Sequence, residues 1–517
     1  MLRRNGQLYF SPTDLNVFFE SPFASYMDRR ACDEPSAFPG ERVRDPQLAL
    51  AAEMGDAHEA AFLAKTQQTH DVCVIARDTF KGDASFVATE AAIRAGRAVI
   101  FQAALRHERF FGYADFLFRV EQPGSTLGWT YQVVDTKLAR KPKPYFLLQL
   151  CAYAEMLEPL LGHRPTALAI VTGDGALRPF HTDEFYYYYR SVKDAFLEAQ
   201  DQHDANVQPY PEVGVDHGHW ADEAEAWFES VDHPCRVAGI SKLQTRRLAK
   251  HGIETFQQLA ETTAPRVPRM AERTFARLRG QARLQRASNG KRPPLWELLT
   301  DEERGDKLGL ALLPPASKND LFFDMEGYPF EEGGLEYLFG VTHEERGART
   351  FTDFWAYDKQ KERRAFEDFV DWVYARWRKD ESLHVFHYAA YEPSTLKRLM
   401  GTYGTREHEI DSMLRGGVFV DLLRVVRQAL RVGEPRYSLK NIETLYRKPR
   451  DGDVATAGDS IVEFARWREA PDGATWEQSK VLGGIRAYNR DDCDSTCELA
   501  AWLRDRQREA KVAYVAS

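Results

Sequence analysis

Cysteine is scarce: six residues in a chain of 517, with no CxxC pair among them. Cys32, Cys73, Cys151, Cys235, Cys493 and Cys497 are too few and too dispersed for a disulfide framework. Cys493 and Cys497 lie one helical turn apart, a spacing that coincidence on a half-buried helix also produces. Uninterrupted apolar runs long enough to span a bilayer are missing, and MLRRNGQLYF lacks the apolar core of a signal peptide. The expectation is a cytoplasmic protein with no membrane partner. An overall excess of positive charge is missing as well: the net charge of −9 excludes a uniformly basic surface but leaves room for a local one. Internal repeats are not seen, and the one low-complexity run, FYYYY at Phe185–Tyr189, is expected to form one side of a packed helix.

What remains is ordinary globular composition, 43% hydrophobic and 28% charged, at a length that suits two or three domains. Residues up to about Tyr210 mix helical periods with apolar strands such as RAVIFQAAL and YQVVDTK, the pattern of an α/β domain. Ala221 to Gly290 is helical in pattern, and Arg266 to Arg292 carries nine cations against the single acid Glu272. Solvated helix faces interleave both signs, so this bias points to a phosphate-facing surface. Two proline-bearing stretches, KRPPLW and ALLPPASKND, read as a linker over 291–318. From 319 onward, strand-like runs (LHVFHY, GVFVDLL) alternate with amphipathic helices.

Chemistry gathers first in YQVVDTKLARKPKPYFLLQLCAYAEML, Tyr131–Leu157. Asp135 and Lys137 are i and i+2 on a strand and so share a face. Such a carboxylate can hold Mg²⁺ while the ammonium sits near a phosphate or orients water. Gln149 and Tyr153 share a face of the following helix, and Lys141 and Lys143 lie in the basic loop between. FFGYADFLFRV supplies Asp115 as a second acid. EMGDAHEAAFL adds Glu53, His58 and Glu59 on a helix, with His58 as a further ligand candidate.

This succession, a helix with His58, a strand with Gly112 and Asp115, a strand with Asp135 and Lys137, then a helix with Gln149 and Tyr153, resembles the RecB-like branch of the PD-(D/E)xK nucleases. The resemblance implies that His58, Asp115 and Asp135 are metal ligands, Lys137 the catalytic lysine, and Gln149 and Tyr153 an accessory motif. SPTDLNVFFESPFASYMD resembles the entry segment of that branch, where many relatives carry a cysteine at the place of Ser21. Relatives with an iron–sulfur cluster also place cysteines after the nuclease core, where this chain reads YPEVGVDHGHWADEAEAWF. No iron–sulfur centre is therefore expected, and His217 and His219 are expected to bind no metal.

The middle segment, VAGISKLQTRRLAKHGIETFQQLAETT, is similar to helix-hairpin-helix modules, whose glycine hairpins aim backbone N–H groups at DNA phosphates. Gly239 and Gly252 punctuate its helices, Thr255 or Glu254 opens the second, and Ser241 stands where a second hairpin glycine is usual. Arg273, Arg277 and Arg283 of the adjoining basic helix are the candidate phosphate contacts.

In LFFDMEGYPF, Asp324 and Glu326 share a strand face, and two carboxylates so close call for a cation. HVFHYAAYEPSTLKRL places Glu392 after a strand and turn. GGIRAYNRDDCDSTCELAAWL spaces Tyr488 and Asp492 one turn apart, where the tyrosine can hold an attacking water and the aspartate a metal. Together these resemble the DEDD exonucleases of the RNase H-like fold, the DnaQ-type group in its tyrosine subclass, near the YprB-like branch. The four acids by that resemblance are Asp324, Glu326, Glu392 and Asp492. Aspartate is usual at the third place, and Asp421 in GVFVDLLRVV either supports the site or substitutes for that ligand.

Over its whole length the chain resembles a bacterial family joining these three parts. The implied fold is α/β multidomain: a restriction-endonuclease-like RecB-like core over 1–215, a helix-hairpin-helix connector over 221–290, and an RNase H-like domain over 319–517. The implied function is a Mg²⁺- or Mn²⁺-dependent DNA nuclease with two centres, in DNA repair or in defence against foreign DNA. Its C-terminal half would remove nucleotides from 3′ ends by two-metal chemistry. The partners expected are DNA single strands or duplex ends, together with a separate helicase. An RNA-processing 3′–5′ exonuclease and a binding scaffold with a decayed centre are the open alternatives.

Overall fold

The computed structural model describes residues 1–38, 46–78, 83–448 and 456–516. They form two compact units, Met1–Trp227 and Phe228–Ser517.

The first unit opens with the hairpin β1 (Leu2–Arg4) and β2 (Gln7–Tyr9), then α1 (Pro12–Glu20), α2 (Pro22–Asp33) and α3 (Pro46–Gln67). Its centre is a sheet in the order β3-β4-β5-β6-β7-β8. These strands are β3 (Val72–Val74), β4 (Val99–His107), β5 (Phe110–Glu121), β6 (Trp129–Thr136), β7 (Ala167–Val171) and β8 (Leu177–His181), with α4 (Ala84–Arg94) before β4. β6 lies inside the sheet, antiparallel to β5 and parallel to β7. Tyr131 and Val133 of β6 pack into the larger core, and Val134 joins Phe116, Ala169 and Val171 in a second cluster with Phe62 of α3 against it. Alternation along β6 therefore carries Asp135 on the Tyr131–Val133 face, toward α5 (Pro144–Leu161). α5 begins with proline in its first turn and stops at Gly162, whose φ of +76° only glycine adopts freely. Midway it buries Glu155, which accepts from Lys193 Nζ and from Tyr189 Oη, each at 2.6 Å, on α6 (Thr182–Asp201). That charged tie holds the helix bearing Gln149 and Tyr153 in place, because neither buried charge has water as an alternative. The aromatic run lies on α6 with helical periodicity: Tyr186 and Tyr189 are buried, while Tyr187 and Tyr188 are 84% and 57% exposed.

α7 (Ala221–Ser230) precedes the helical part of the second unit, α8 (Lys242–Ala249), α9 (Phe256–Glu261) and α10 (Glu272–Ser288), around a core of Leu248, Leu259, Phe275 and Ala282. Ser241 and Thr255 cap α8 and α9, each through a capping box with the glutamine three residues on. Residues 291–318, read from sequence as a linker, contain β9 (Trp296–Leu298) and α11 (Asp301–Arg304).

Then follows a sheet ordered β12-β11-β10-β13-β14. Its strands are β10 (Leu321–Tyr328), β11 (Leu335–Glu345), β12 (Ala348–Trp355), β13 (Val385–His387) and β14 (Phe419–Asp421). β10 is central, antiparallel to β11 and parallel to β13. Phe323 and Met325 enter the core formed with α12 (Lys359–Trp377), α13 (Tyr391–Tyr403) and α14 (Glu407–Arg415). Phe322 faces the opposite cluster, which holds Val425 and Val426 of α15 (Leu422–Ala429) and Leu499 and Leu503 of α18 (Lys480–Glu509). Period two then puts Asp324 and Glu326 on the α18 side. β15 (Leu430–Val432) pairs with β9, α16 (Leu439–Ile442) follows it, and α17 (Ala457–Glu469) precedes α18. No helix among the described residues is long and apolar enough to cross a membrane.

Candidate active sites

At the end of β6, Asp135 is 1% exposed and its Oδ2 lies 2.6 Å from Lys137 Nζ. The Lys137 ammonium also lies 5.5 Å from the centre of the Phe146 ring. Asp115 Oδ2 accepts from the backbone N–H of Thr136 at 2.9 Å and from its hydroxyl at 3.0 Å, so one acid is pinned beside the other by the strand itself. Burial, then the Asp115 charge, pushes the Asp135 carboxyl well above its usual range, while Lys137 pulls it back. Burial with the same two acids nearby raises the Tyr153 phenol. Gly112 leaves room for Tyr153: a Cβ there would meet the ring at 3.1 Å. Gln149, one turn earlier, accepts from Asn16 at 3.5 Å.

Two further groups belong here. Glu59 of α3 is close enough to Asp115 for the two charges to raise its pKa, after burial as the first cause, and its charge also supports the Lys137 ammonium. It accepts from Gln102, which in turn accepts from Arg77 Nε at 2.6 Å. Gln102 has φ of +57°, a left-handed conformation costly for a non-glycine residue, and sits between the register pairs Phe101↔Phe116 and Ala103↔Ala114. The distortion aims its amide at Glu59. His58 directs Nε2 to the Val171 carbonyl at 3.4 Å, the carbonyl that also accepts from the Lys137 backbone N–H. Lys141 and Lys143 are both exposed, and Lys143 Nζ donates to Tyr145 Oη at 3.1 Å. Asp135 Oδ1 is buried with no hydrogen-bond partner, and three acids here face one lysine, a donor set that fits a cation.

Ser21 and His217, far apart in sequence, meet: Ser21 Oγ and His217 Nδ1 are 2.8 Å apart and both residues are buried. His219 Nε2 lies 3.1 Å from Asp28 Oδ1.

In the second unit Asp324, Glu326 and Asp492 converge. One carboxylate oxygen from each lies within 4.8 Å of the others, and among the described residues this is the one cluster of three or more potential metal ligands so closely spaced. Burial and then Asp492 push Glu326 up to about 8, partly offset by Ser460, Asn489 and Lys440. Burial and the charges of Asp492, Glu326 and Glu392 push Asp324 well above the carboxylate range. Such crowding is what a bound divalent cation relieves, so the donor set fits one. Glu392, in the first turn of α13, stands outside the tight triad; its Oε2 lies 3.5 Å from His387 Nδ1. Asp421 caps α15, accepting from Leu423 N at 2.9 Å, and holds Ala389 N at 3.0 Å. Ala389, three residues before Glu392, has φ of +81°. The sheet end thus enters α13 through a strained turn fastened by Asp421.

Tyr488 lies on α18 one turn before Asp492, with Lys440 Nζ of α16 5.1 Å from its ring centre. Asn489, fully buried, donates to Asp324 Oδ2 at 2.7 Å. A side chain at Gly340, which pairs with Asp324 across β10 and β11, would overlap Asn489 Oδ1. We expect Gly340→Ala to displace this amide and weaken activating metal about 10–100-fold, the usual loss when a ligand-orienting partner is disturbed. The check is a titration of cleavage rate against Mn²⁺, with circular dichroism verifying an intact fold. An unchanged half-saturation concentration would refute the role.

Residues 321–504 match a family model, RNase_H_2, of the RNase H superfamily. The match starts at the first residue of β10 and ends within α18, so it takes in Asp324, Glu326, Glu392 and Asp492. No curated protein matches the chain. The C-terminal part is thus an RNase H-like domain, of nuclease type, and its acidic cluster is compatible with the divalent metals such domains use.

In the helical part that precedes it, the basic run has internal work. Arg283 Nε donates to the Ala260 carbonyl at 2.8 Å and Arg279 to that of Ala264 at 3.1 Å. Arg273 lies 3.5 Å from Asp306, and Arg277 donates to the Arg427 carbonyl at 3.3 Å. Ser241 Oγ accepts from Gln244 N, which occupies an amide at the start of α8.

Proposed function

We propose that the chain is a metal-dependent nucleic-acid phosphodiesterase whose principal centre is Asp324, Glu326 and Asp492, acting on DNA from the 3′ end. The observation that carries this reading is the convergence of three carboxylates, Glu326 and Asp492 buried and Asp324 half-buried, within an RNase H-like domain. A divalent cation held by these carboxylates would supply Lewis-acid charge to the scissile phosphate and a more acidic water. The chain's own groups do the positioning. Asn489 fixes the Asp324 carboxylate, Lys440 stands over the Tyr488 ring, and the Tyr488 hydroxyl, one turn from Asp492, would orient the attacking water. Glu392 adds a fourth negative charge beside Asp324.

A second centre at Asp115, Asp135 and Lys137 is part of the proposal, with Glu59 as its third acid. Lys137 is placed to meet a phosphate oxygen, and Asp135, 2.6 Å away, keeps the lysine charged. Residues at both centres fit Mg²⁺ or Mn²⁺ through oxygen donors. DNA repair and defence against foreign DNA are the roles that suit two such centres on one chain.

The test is degradation of 3′- and 5′-labelled DNA with Mg²⁺, with Mn²⁺ and with EDTA, beside RNA of the same sequence. We expect metal-dependent release of nucleotides from the 3′ end of DNA. RNA degraded faster than DNA would move the reading to RNA processing, and no cleavage of either would refute it.

A further inference from the structure

A cavity of about 1120 Å³ lies inside the second unit, between the helical part and the RNase H-like domain. One wall carries Arg277 and Lys307; the other carries Arg424 and Arg427 of α15 and Arg436 beyond β15. None of these five has a carboxylate partner among the described residues, and Asp421 is the one acid in the lining. Arg431 also reaches the cavity, but it is committed to Glu297 and Glu303. Arg277 reaches across to the Arg427 carbonyl at 3.3 Å, so the cations of the two walls stand close with no acid paired to them, and a polyanion among them removes their repulsion.

The walls are built, not adventitious. Gln281 of α10 donates to the Val432 carbonyl at 2.8 Å and accepts from Tyr437 Oη at 2.9 Å, while Tyr437 Oη accepts from Val432 N at 2.8 Å. Gly280 lets α10 approach Arg431, whose guanidinium a Cβ would crowd at 2.5 Å. The cavity also touches the acids' surroundings. Ala389, Ala390 and Asp421 line it, and Glu392 follows two residues after Ala390. Tyr437 lines it too, and three residues later Lys440 reaches Tyr488.

We propose that this cavity seats a single strand of nucleic acid, its phosphates held by Arg277, Lys307, Arg424, Arg427 and Arg436, on the way to the carboxylate triad. The proposal rests on the nuclease reading of that triad. A void at the upper end of ligand-pocket size, walled on two sides, takes a short run of nucleotides and not a duplex. Ala390 and Tyr437 of the lining lie two and three residues from Glu392 and Lys440, and this adjacency makes the bound strand the substrate in our proposal.

The experiment uses the full chain in EDTA with a fluorescent oligodeoxythymidylate, measuring affinity across a salt series. The Arg424→Ala/Arg427→Ala/Arg436→Ala variant is expected to bind about 10-fold or more weakly at low salt, with its log–log salt slope flattened by about 2, at roughly 0.7 per lost phosphate contact. A single Arg427→Glu variant, with less change to the fold, should weaken binding in the same direction. Unchanged affinity and slope in both variants, or a loss confined to duplex DNA, would overturn the seat. Hydrolysis of thymidine 5′-p-nitrophenyl phosphate by the unaltered chain with Mn²⁺ reads the carboxylates without a strand. If that hydrolysis is absent while strand affinity still falls in the variants, the catalytic reading fails and the seat stands.

Discussion

Asp324→Asn should lower release of 3′-terminal nucleotides by about three orders of magnitude or more, because it removes a carboxylate on which metal binding and transition-state charge both depend. The same substitution should make the metal-free chain more stable. Asp324 and Glu326 both have folded pKa values above their unfolded ones, Glu326 at about 8, because burial and neighbouring carboxylates disfavour their charged forms. An acid raised in this way favours the fold fully below its unfolded pKa and loses that contribution as pH climbs through the folded value. The metal-free wild-type chain should therefore weaken between about pH 5 and pH 8, and the amide, which does not titrate, should escape part of that loss. Urea denaturation in EDTA at pH 6 and pH 8.5 checks the sign: the advantage of the variant should grow with pH. Excess Mn²⁺ should reverse the order by stabilising the wild-type chain alone. A variant less stable than wild type at pH 8.5 in EDTA would mean that the carboxylates do not repel as described.

Asp135→Asn, made in a chain already carrying Asp324→Asn, should abolish the cleavage that remains, by about 10²–10³-fold. The argument is geometric. Asp135 is buried beside Asp115, with one oxygen on Lys137 and the other without a partner, so its loss removes a ligand and the lysine's anchor together. The amide is nearly isosteric, so loss of activity cannot be ascribed to a collapsed strand. Product mapping on end-labelled DNA is the check. Wild-type and Asp135→Asn chains with identical products, and an inactive Asp324→Asn chain, would leave the first unit a binding platform.

Local geometry explains which of these residues could be read directly from the sequence. Asp324 and Glu326 at i and i+2 on β10, Asp135 and Lys137 likewise, and Tyr488 and Asp492 at i and i+4 on α18 declare a shared face through spacing alone. Asn489 in YNRDD carries no spacing signal of this kind, because its role depends on Gly340 admitting it from another element. Glu59 was visible beside His58, but the distortion at Gln102 decides how α3 engages the acids, and no spacing rule announces a left-handed glutamine in a strand. Glu392 lies at a helix start, where the turn through Ala389 sets its direction. The arginine run shows the complementary limit: density of charge was plain, yet Arg283 spends its donors on Ala260 and Thr262, whereas Arg424, Arg427 and Arg436, scattered over thirteen residues, share one void.

The pairing of β9 with β15 has a consequence for how this domain can be handled as a piece. The superfamily match begins at Leu321, yet β15, within the matched span, has its hydrogen-bonding edge closed by residues 296–298 and its Val432 carbonyl by Gln281. A fragment cut to the match would present an open edge strand and an orphaned carbonyl to the solvent, the circumstances in which strands recruit one another into aggregates. The self-supporting part of the chain is therefore longer than the portion recognisable by kinship: the compact unit that holds both strands runs from Phe228, inside α7, to the C-terminal end.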